Sequence, residues 1–314
     1  MLKLITLIGM ILLEAFTTIM SGCSQESVQR LEVVFYRLDA ALGDVRAQCK
    51  IGDAYYKGEG VVLDKHEATM WYRKAAECGN AEAQTRLGSM YCQGDGVELN
   101  NKEAIKWFFK AAEQGSAAAQ YDIGACYHNG EGVKKDYKEA VRWLRKAAEQ
   151  GYIKGQFNLG LCYYTGEGVE KNYKEAVMWF RKAAERGDAA AQCDLGVCYR
   201  EGKGVEKDYK EAVRWLCKAA EQGHSIAQFH LGLCYYTGEG VKINYKEFEK
   251  WFRKAAEQGD NVAQYCLGVY YYNGQGGYRN YEEAMRWFHK AADQGNENAK
   301  KALKELEGEK ANNP

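Results

Sequence analysis

Eleven cysteines and five histidines are the side chains of this 314-residue chain that could do chemistry. In convergent sets they would bind zinc, pair as disulfides or supply a nucleophile. A zinc site needs about four ligands brought together, but His66, His128, His224, His230 and His289 fall at five unrelated positions of the pattern described below, and neither Cys-x-x-Cys nor His-Glu-x-x-His occurs. Cys126, Cys162, Cys198 and Cys234 recur every 36 residues on one apolar helix face. Equivalent residues of stacked helices stand about 9–10 Å apart, whereas a disulfide needs Cα atoms within about 7 Å. These four are therefore expected as small buried hydrophobes. Cys49 and Cys193 share a second position, and Cys78, Cys92, Cys217 and Cys266 are scattered, which leaves a pair between adjacent elements open. There is no nucleophile elbow, phosphate loop or acid–base pair, so no catalytic residue, metal or cofactor is expected. With 43 basic and 43 acidic residues and no clustered basic patch, nucleic acid is not an expected partner.

The elements that position these residues come from an internal repeat. Trp71, Trp107, Trp143, Trp179, Trp215, Trp251 and Trp287 are each 36 residues apart, and so are Gln48, Gln84, Gln120, Gln156, Gln192, Gln228 and Gln264. Glycine columns begin at Gly52, Gly58, Gly60 and Gly79. The only proline is Pro314, so helix can run throughout. In the third copy Ala119, Ile123, Cys126 and Tyr127 form one helical face, and Gly130 ends that helix as a left-handed cap. Asp136 opens a second helix, with Glu139 three residues on in a capping-box pattern. The caps recur from Asp64 to Asn280. The glycine and alanine columns let helices approach closely, with tryptophan expected to fill the space beside them, and the Gln48 column is expected to bond the backbone of a neighbouring helix. The fold class is all-α, an α/α superhelical solenoid of seven 36-residue helix–loop–helix repeats over residues 47–295. Half-repeat caps flank it: residues 23–46 are a linker and an N-terminal capping helix, with Phe35 in the tryptophan position, and 296–314 are a C-terminal capping helix and tail. Both ends should present polar outer faces. Phe248, in a slot that is alanine in the other copies, is expected to overpack and produce an irregularity or hinge near repeat 6. Gly277, valine elsewhere, should loosen the loop of repeat 7.

The run Ala-Gln-x-x-Leu-Gly-x-x-Tyr-x-x-Gly-x-Gly-Val, then Asp-x-x-x-Ala-x-x-Trp-x-x-Lys-Ala-Ala-x-x-Gly, resembles the Sel-one-like repeat (SLR) family over residues 47–295. The tetratricopeptide repeat is a cousin with a shorter period and no Gly-x-Gly-Val loop. The resemblance implies a right-handed superhelix acting as a non-catalytic protein–protein adaptor. One branch of the family is secreted, disulfide-stapled and credited with penicillin binding and hydrolysis. Here the Lys-Ala-Ala positions hold alanine where that branch has its staple cysteine, so the activity is not carried over. A cell-wall or carbohydrate-associated structural role is the other alternative.

Residues 1–22 differ from the rest: Lys3, the apolar Leu4–Leu13 run, Glu14, more apolar residues, then Ser21 and Gly22. That order fits a signal peptide. Met20-Ser21-Gly22-Cys23 resembles a bacterial lipobox, which implies lipidation of Cys23 as the mature N-terminus. A conventional cleaved signal and an uncleaved anchor or cytoplasmic start are the other readings. The expected location is exported, as a periplasmic or membrane-anchored lipoprotein or a secreted protein, with membrane attachment through the lipid.

Columns that recur are needed by the repeat, and columns that vary are free for recognition. A second stripe on the first helices carries His128, Tyr164, Arg200, Tyr236 and Tyr272, with Phe157, Phe229 and Tyr265 one to two turns earlier. Exposed aromatics and arginine are the residues interfaces use most. These eight are the candidate partner-binding residues, lining a concave groove for a protein or peptide. The competing reading for Phe157, Phe229 and Tyr265 is packing against an adjacent repeat.

Overall fold

A computed structural model describes residues 24–275, 277 and 279–312, with side chains described as far as Leu306. The signal-peptide, Cys23, Gly276 and Tyr278 positions lie outside the described residues. Among the described residues there are sixteen helices and no strands, and the all-α solenoid class expected from the repeat is what is found. None of these helices is long and apolar enough to cross a membrane. The chain divides into two compact units, residues 1–152 and 153–314.

The first unit contains α1 (Gln25–Ala41), α2 (Val45–Lys57), α3 (Lys65–Glu77), α4 (Ala81–Gln93), α5 (Asn101–Glu113), α6 (Ala117–Asn129) and α7 (Tyr137–Glu149). The second contains α8 (Ile153–Thr165), α9 (Tyr173–Glu185), α10 (Ala189–Glu201), α11 (Tyr209–Glu221), α12 (Ser225–Thr237), α13 (Tyr245–Glu257), α14 (Asn261–Asn273), α15 (Tyr281–Asp293) and α16 (Glu297–Asn312). From α2 to α15 every helix is 13 residues long. That uniformity comes from the punctuation. Asp136 Oδ1 accepts the backbone N–H groups of Lys138 and Glu139 at 2.9 and 3.1 Å, and Gly130 sits at φ +80°.

The capping box expected from the glutamates does not close. The N–H of each N-cap residue from Asp64 to Asn280 instead donates to the carbonyl of a first-helix tyrosine, Tyr55 to Tyr271, at 2.9–3.0 Å. With that donor already satisfied, glutamates such as Glu211 and Glu283 pair with Arg214 and Arg286 three residues on, at 3.0 and 3.2 Å.

Two further columns are also placed differently from expectation. The space beside the helical glycines is filled by the residue after the tryptophan: a Cβ on Gly160 would lie 2.7 Å from the Phe180 ring, and one on Gly196 would lie 2.8 Å from Leu216 Cγ. Each tryptophan instead lies under the lysine three residues on, with Nζ 3.9 Å from the ring centroid at Trp107 and Trp143 and 5.3 Å at Trp71. The Lys-Ala-Ala lysine is thus a cation–π partner, contributing about 0.5–1 kcal/mol where it is exposed.

The glutamine column behaves as expected and extends further. Gln84 Nε2 donates to Ala76 O at 3.0 Å, and its Oε1 accepts from Gln114 Nε2 at 2.8 Å. Gln120, Gln192, Gln228 and Gln264 accept in the same way from Gln150, Gln222, Gln258 and Gln294. Gln48 lacks this second partner because Cys78 stands where the donor glutamine belongs, and its buried Oε1 has no hydrogen bond. Cys78→Gln is therefore expected to stabilise the first unit by about 1 kcal/mol. An unchanged urea midpoint would show that the ladder adds nothing there.

The ends differ from each other. Ala299, Leu303 and Leu306 of α16 are buried, while Lys300, Lys301, Lys304 and Glu305 face solvent, so this cap is polar as expected. On α1, Val33 and Ala40 are buried, but Leu31, Val34, Phe35 and Leu38, with the C-cap residue Leu42, are exposed. This cap exposes the charged Glu32 and Asp39 on the face toward a missing repeat, with the apolar stripe beside them.

The hinge expected at Phe248 is absent from the backbone. The helix α13 is a normal 13-residue helix, with Phe248 at 3% exposure. Its ring is taken up by Phe252, Tyr270 and Tyr236 at centroid distances of 4.4, 4.9 and 5.1 Å. The unexpected Glu249 accepts from Arg253 at 3.0 Å and from the Tyr271 hydroxyl at 2.5 Å. In the repeat 7 loop Gly277 adopts φ +117°, a conformation that the valine of the other copies avoids.

Candidate functional site

Seven of the eight stripe residues lie on first helices of the second unit. The eighth, His128, lies on α6 of the first unit, edge-on to Tyr137 at 5.1 Å. All eight are half-buried. Phe157, Phe229 and Tyr265 lean on the phenylalanine of their own repeat (Phe180, Phe252 and Phe288) at 5.9, 5.0 and 5.8 Å. They therefore pack within the repeat and present a remaining edge outward. Tyr164, Tyr236 and Tyr272 stand edge-on to Tyr173, Tyr245 and Tyr281 at 5.1, 6.0 and 5.8 Å. Hydroxyls of this column reach the following loop: Lys203 Nζ donates to Tyr164 Oη at 3.1 Å and Gln275 Nε2 to Tyr236 Oη at 2.7 Å. Arg200 is neutralised by Glu239 at 3.5 Å and donates to His230 Nδ1 at 2.9 Å, which makes that nitrogen an acceptor and the ring neutral.

Tyr236 and Tyr265 are brought together in a cavity of about 220 Å³ that they share with Leu233, Phe248, Phe252, Cys266, Val269 and Gln275. An engineered apolar cavity of about 150 Å³ accepts benzene, so this one has room for a large apolar side chain. Phe157, Tyr164, Arg200, Phe229 and Tyr272 do not line it. Leu233 and Val269 are the middle positions of the same stripe, one turn after Phe229 and Tyr265, whereas Phe252 and Gln275 carried no signal in the sequence. The visible signal was Phe248, whose departure from the alanine column builds one wall.

The chemistry of the lining is quiet. Burial pushes the Cys266 thiol up to about 11, and Cys162 and Cys234 likewise. Cys49, Cys193 and Cys198 are pushed to about 12 by burial first and nearby carboxylates second. Thiols held protonated at neutral pH are poor nucleophiles. Cys126, Cys162, Cys198 and Cys234 are all buried, in line with their reading as small hydrophobes. Of the pairings left open between adjacent elements, Cys92 on α4 packs against the buried cluster that holds Cys126 on α6, and both are free thiols.

Two carboxylates in unusual settings escaped the sequence reading. In the first unit, potential ligand atoms of Cys49, Asp53 and Glu82 lie within 4.8 Å of one another. Asp53 is already engaged by the Tyr72 hydroxyl at 2.8 Å, Lys50 at 3.3 Å and Arg86 at 3.6 Å, so a cation would have to displace two others. The signal was Asp53 and Tyr72 departing together from their columns. In the second unit, burial and then Asp188 push the Asp194 carboxyl up to about 6. Its folded pKa lies above its unfolded one, so the native state favours the proton. Stability from this group is complete below about pH 4 and is lost as pH rises through 6. Asp194→Asn is expected to stabilise the protein by roughly 2 kcal/mol at pH 8, with the gain vanishing below pH 4. Comparing variant with wild type at each pH cancels His230, whose pKa is lowered to about 4 by burial and then by Arg200 and whose dependence runs the opposite way. A pH-independent difference in unfolding free energy would contradict this.

Stacked helix–loop–helix units with capped 13-residue helices and a glutamine ladder define an α-solenoid repeat protein. The Sel1 repeat model matches residues 45–80, 81–116, 117–152, 153–188, 189–224, 225–260 and 261–296, and the chain belongs to the Sel1 repeat family. It is similar to the uropathogenic Escherichia coli protective antigen c5321, which displays an SLR fold, at 40% identity and a TM-score of 0.78; the match covers 86% of this chain but only 58% of that protein. It is also similar to a Sel1 repeat protein from Oxalobacter formigenes, at 37% identity and a TM-score of 0.69, covering 78% of this chain and 96% of that one. No curated protein matches this chain. Sel1 repeat proteins are generally protein-interaction scaffolds.

Proposed function

We propose that this chain is a non-catalytic adaptor that holds a protein or peptide partner on the first-helix face of its second unit. A large apolar side chain of the partner sits in the cavity between Tyr236 and Tyr265. The observation that carries this reading is the cavity itself, which combines largely apolar walls, room for an aromatic ring and a Gln275 side chain already oriented by its hydrogen bond to the Tyr236 hydroxyl. The half-buried rings of Tyr164, Phe157, Phe229 and Tyr272 extend the apolar character along the same helices. Aromatics fixed by their own packing lose little entropy on binding. The adaptor works outside the cytoplasm, lipid-anchored at Cys23, a reading supported by the lipobox-like ending of residues 20–23.

The test is a cross-linking pull-down from native lysate with the full chain beside a Tyr164→Ala/Tyr236→Ala/Tyr272→Ala variant of unchanged circular dichroism. A partner recovered by the wild type and lost by the variant supports the reading. Equal recovery by both moves the site off these helices.

A further inference from the structure

The helix α1 occupies the place of a second helix of the repeat, one period before α3. Its Gly43 has φ +94° where Gly79 has +90°, and Arg37 donates to Tyr55 Oη at 2.6 Å just as Arg73 does to Tyr91. Set against the seven second helices, its departures are systematic. Leu31 stands in the column that is glutamate from Glu67 to Glu283. Leu38 stands in the column that is lysine from Lys74 to Lys290, and Leu42 in the column of Gln114 and its equivalents. Val34 replaces a position that is basic in five copies. With Phe35 these residues form an i, i+3, i+4, i+7, i+11 stripe, 37–88% exposed, on the side opposite the buried Val33 and Ala40.

A preceding repeat helix is not what this stripe awaits. The positions that meet the first helix of their own repeat are fully buried alanines in α3, Ala68 and Ala75, and on α1 these are the exposed Glu32 and Asp39. The face toward a missing repeat has been made charged, while the columns that are glutamate and lysine in all seven repeats have become Leu31 and Leu38. Cys23 directly precedes Ser24, the N-cap of α1. A lipid on Cys23 would hold the start of α1 at a bilayer surface.

We infer that α1 is an interfacial membrane helix, with Leu31, Val34, Phe35, Leu38 and Leu42 seated among the acyl chains of a phospholipid bilayer. This rests on the reading of residues 1–23 as a lipoprotein signal. The flanks carry Glu26, Arg30, Glu32, Arg37 and Asp39, so attraction to anionic headgroups adds little and apolar burial is the driving contribution.

The experiment places the photo-cross-linker p-benzoylphenylalanine at Leu38 of the full chain, made with its own leader in a bacterium. Adducts at that position and the mass of the Cys23 peptide are read from the same sample. The expected result is a phospholipid adduct, reduced more than about tenfold by Leu31→Glu/Leu42→Gln, which restores the residues of the repeat. A cross-linked dimer, another protein, or no adduct with Cys23 lipidated overturns the inference while leaving the lipoprotein reading intact. An unlipidated Cys23 without a lipid adduct overturns both. The Leu31→Glu/Leu42→Gln chain should fold, because both side chains are exposed.

Discussion

Gly204→Ala is expected to destabilise the second unit by about 3–5 kcal/mol, and Gly223→Ala by only about 1–2 kcal/mol. Both glycines have left-handed backbone, φ +73° and +89°, so an L side chain strains both. Only Gly204 also meets a neighbour. Its loop lies against the first turn of α9, and a Cβ there would be 2.1 Å from the Tyr173 carbonyl oxygen and 2.4 Å from its carbon. Backbone cannot rotate out of the way as a side chain can. Around Gly223 nothing lies within 4 Å. Urea titrations of the two variants should therefore separate clearly. Equal losses would mean that left-handed strain alone explains the Gly-x-Gly loop and that the loop-to-helix contact is not structural.

Phe248→Ala is expected to cost about 2–4 kcal/mol, although it restores the residue found in the other repeats. Consensus substitutions commonly stabilise repeat proteins, so the sign of this change is informative. In this repeat the slot has been rebuilt around the ring. Tyr270 stands where four other copies have cysteine, and Phe252, Tyr270 and Tyr236 all rest on Phe248. Removing the ring leaves these contacts unmade and enlarges the 220 Å³ cavity. A gain in thermal midpoint would show that Phe248 is a tolerated defect and not a wall of the site.

Much of the fold was legible because it repeats. Seven copies of each column show which side chains the backbone needs, so the caps, the helix ends and the glutamine-to-backbone bond could all be read. The pairing of columns with one another could not. The N-cap N–H could have bonded Glu139 or the Tyr127 carbonyl, and only the relative placement of two helices decides for the carbonyl. The same holds for the partner of the helical glycines, where Phe180 and Trp179 are one residue apart and the crossing of the helices selects Phe180. The candidate site was visible in part: Tyr236, Tyr265, Leu233 and Val269 all lay on the stripe, but only the packing of two neighbouring repeats shows that these four close around Phe248. The exposed stripe of α1 was hidden for a related reason. Reading Phe35 as a tryptophan equivalent was right in phase, but it said nothing of Leu31 and Leu38 until the outward direction of their columns was known.

The account stands most directly on the cavity of the second unit as the anchor point for a partner. Once a partner has been recovered, its dissociation constant should be measured for the wild type and for Val269→Glu, which places a carboxylate in the half-buried wall without touching either tyrosine. Burying that charge against an apolar side chain should weaken binding by more than about tenfold, a change above roughly 1.4 kcal/mol, with the thermal midpoint largely kept. An unchanged dissociation constant in a folded Val269→Glu protein would contradict the account and place the partner elsewhere on the repeats.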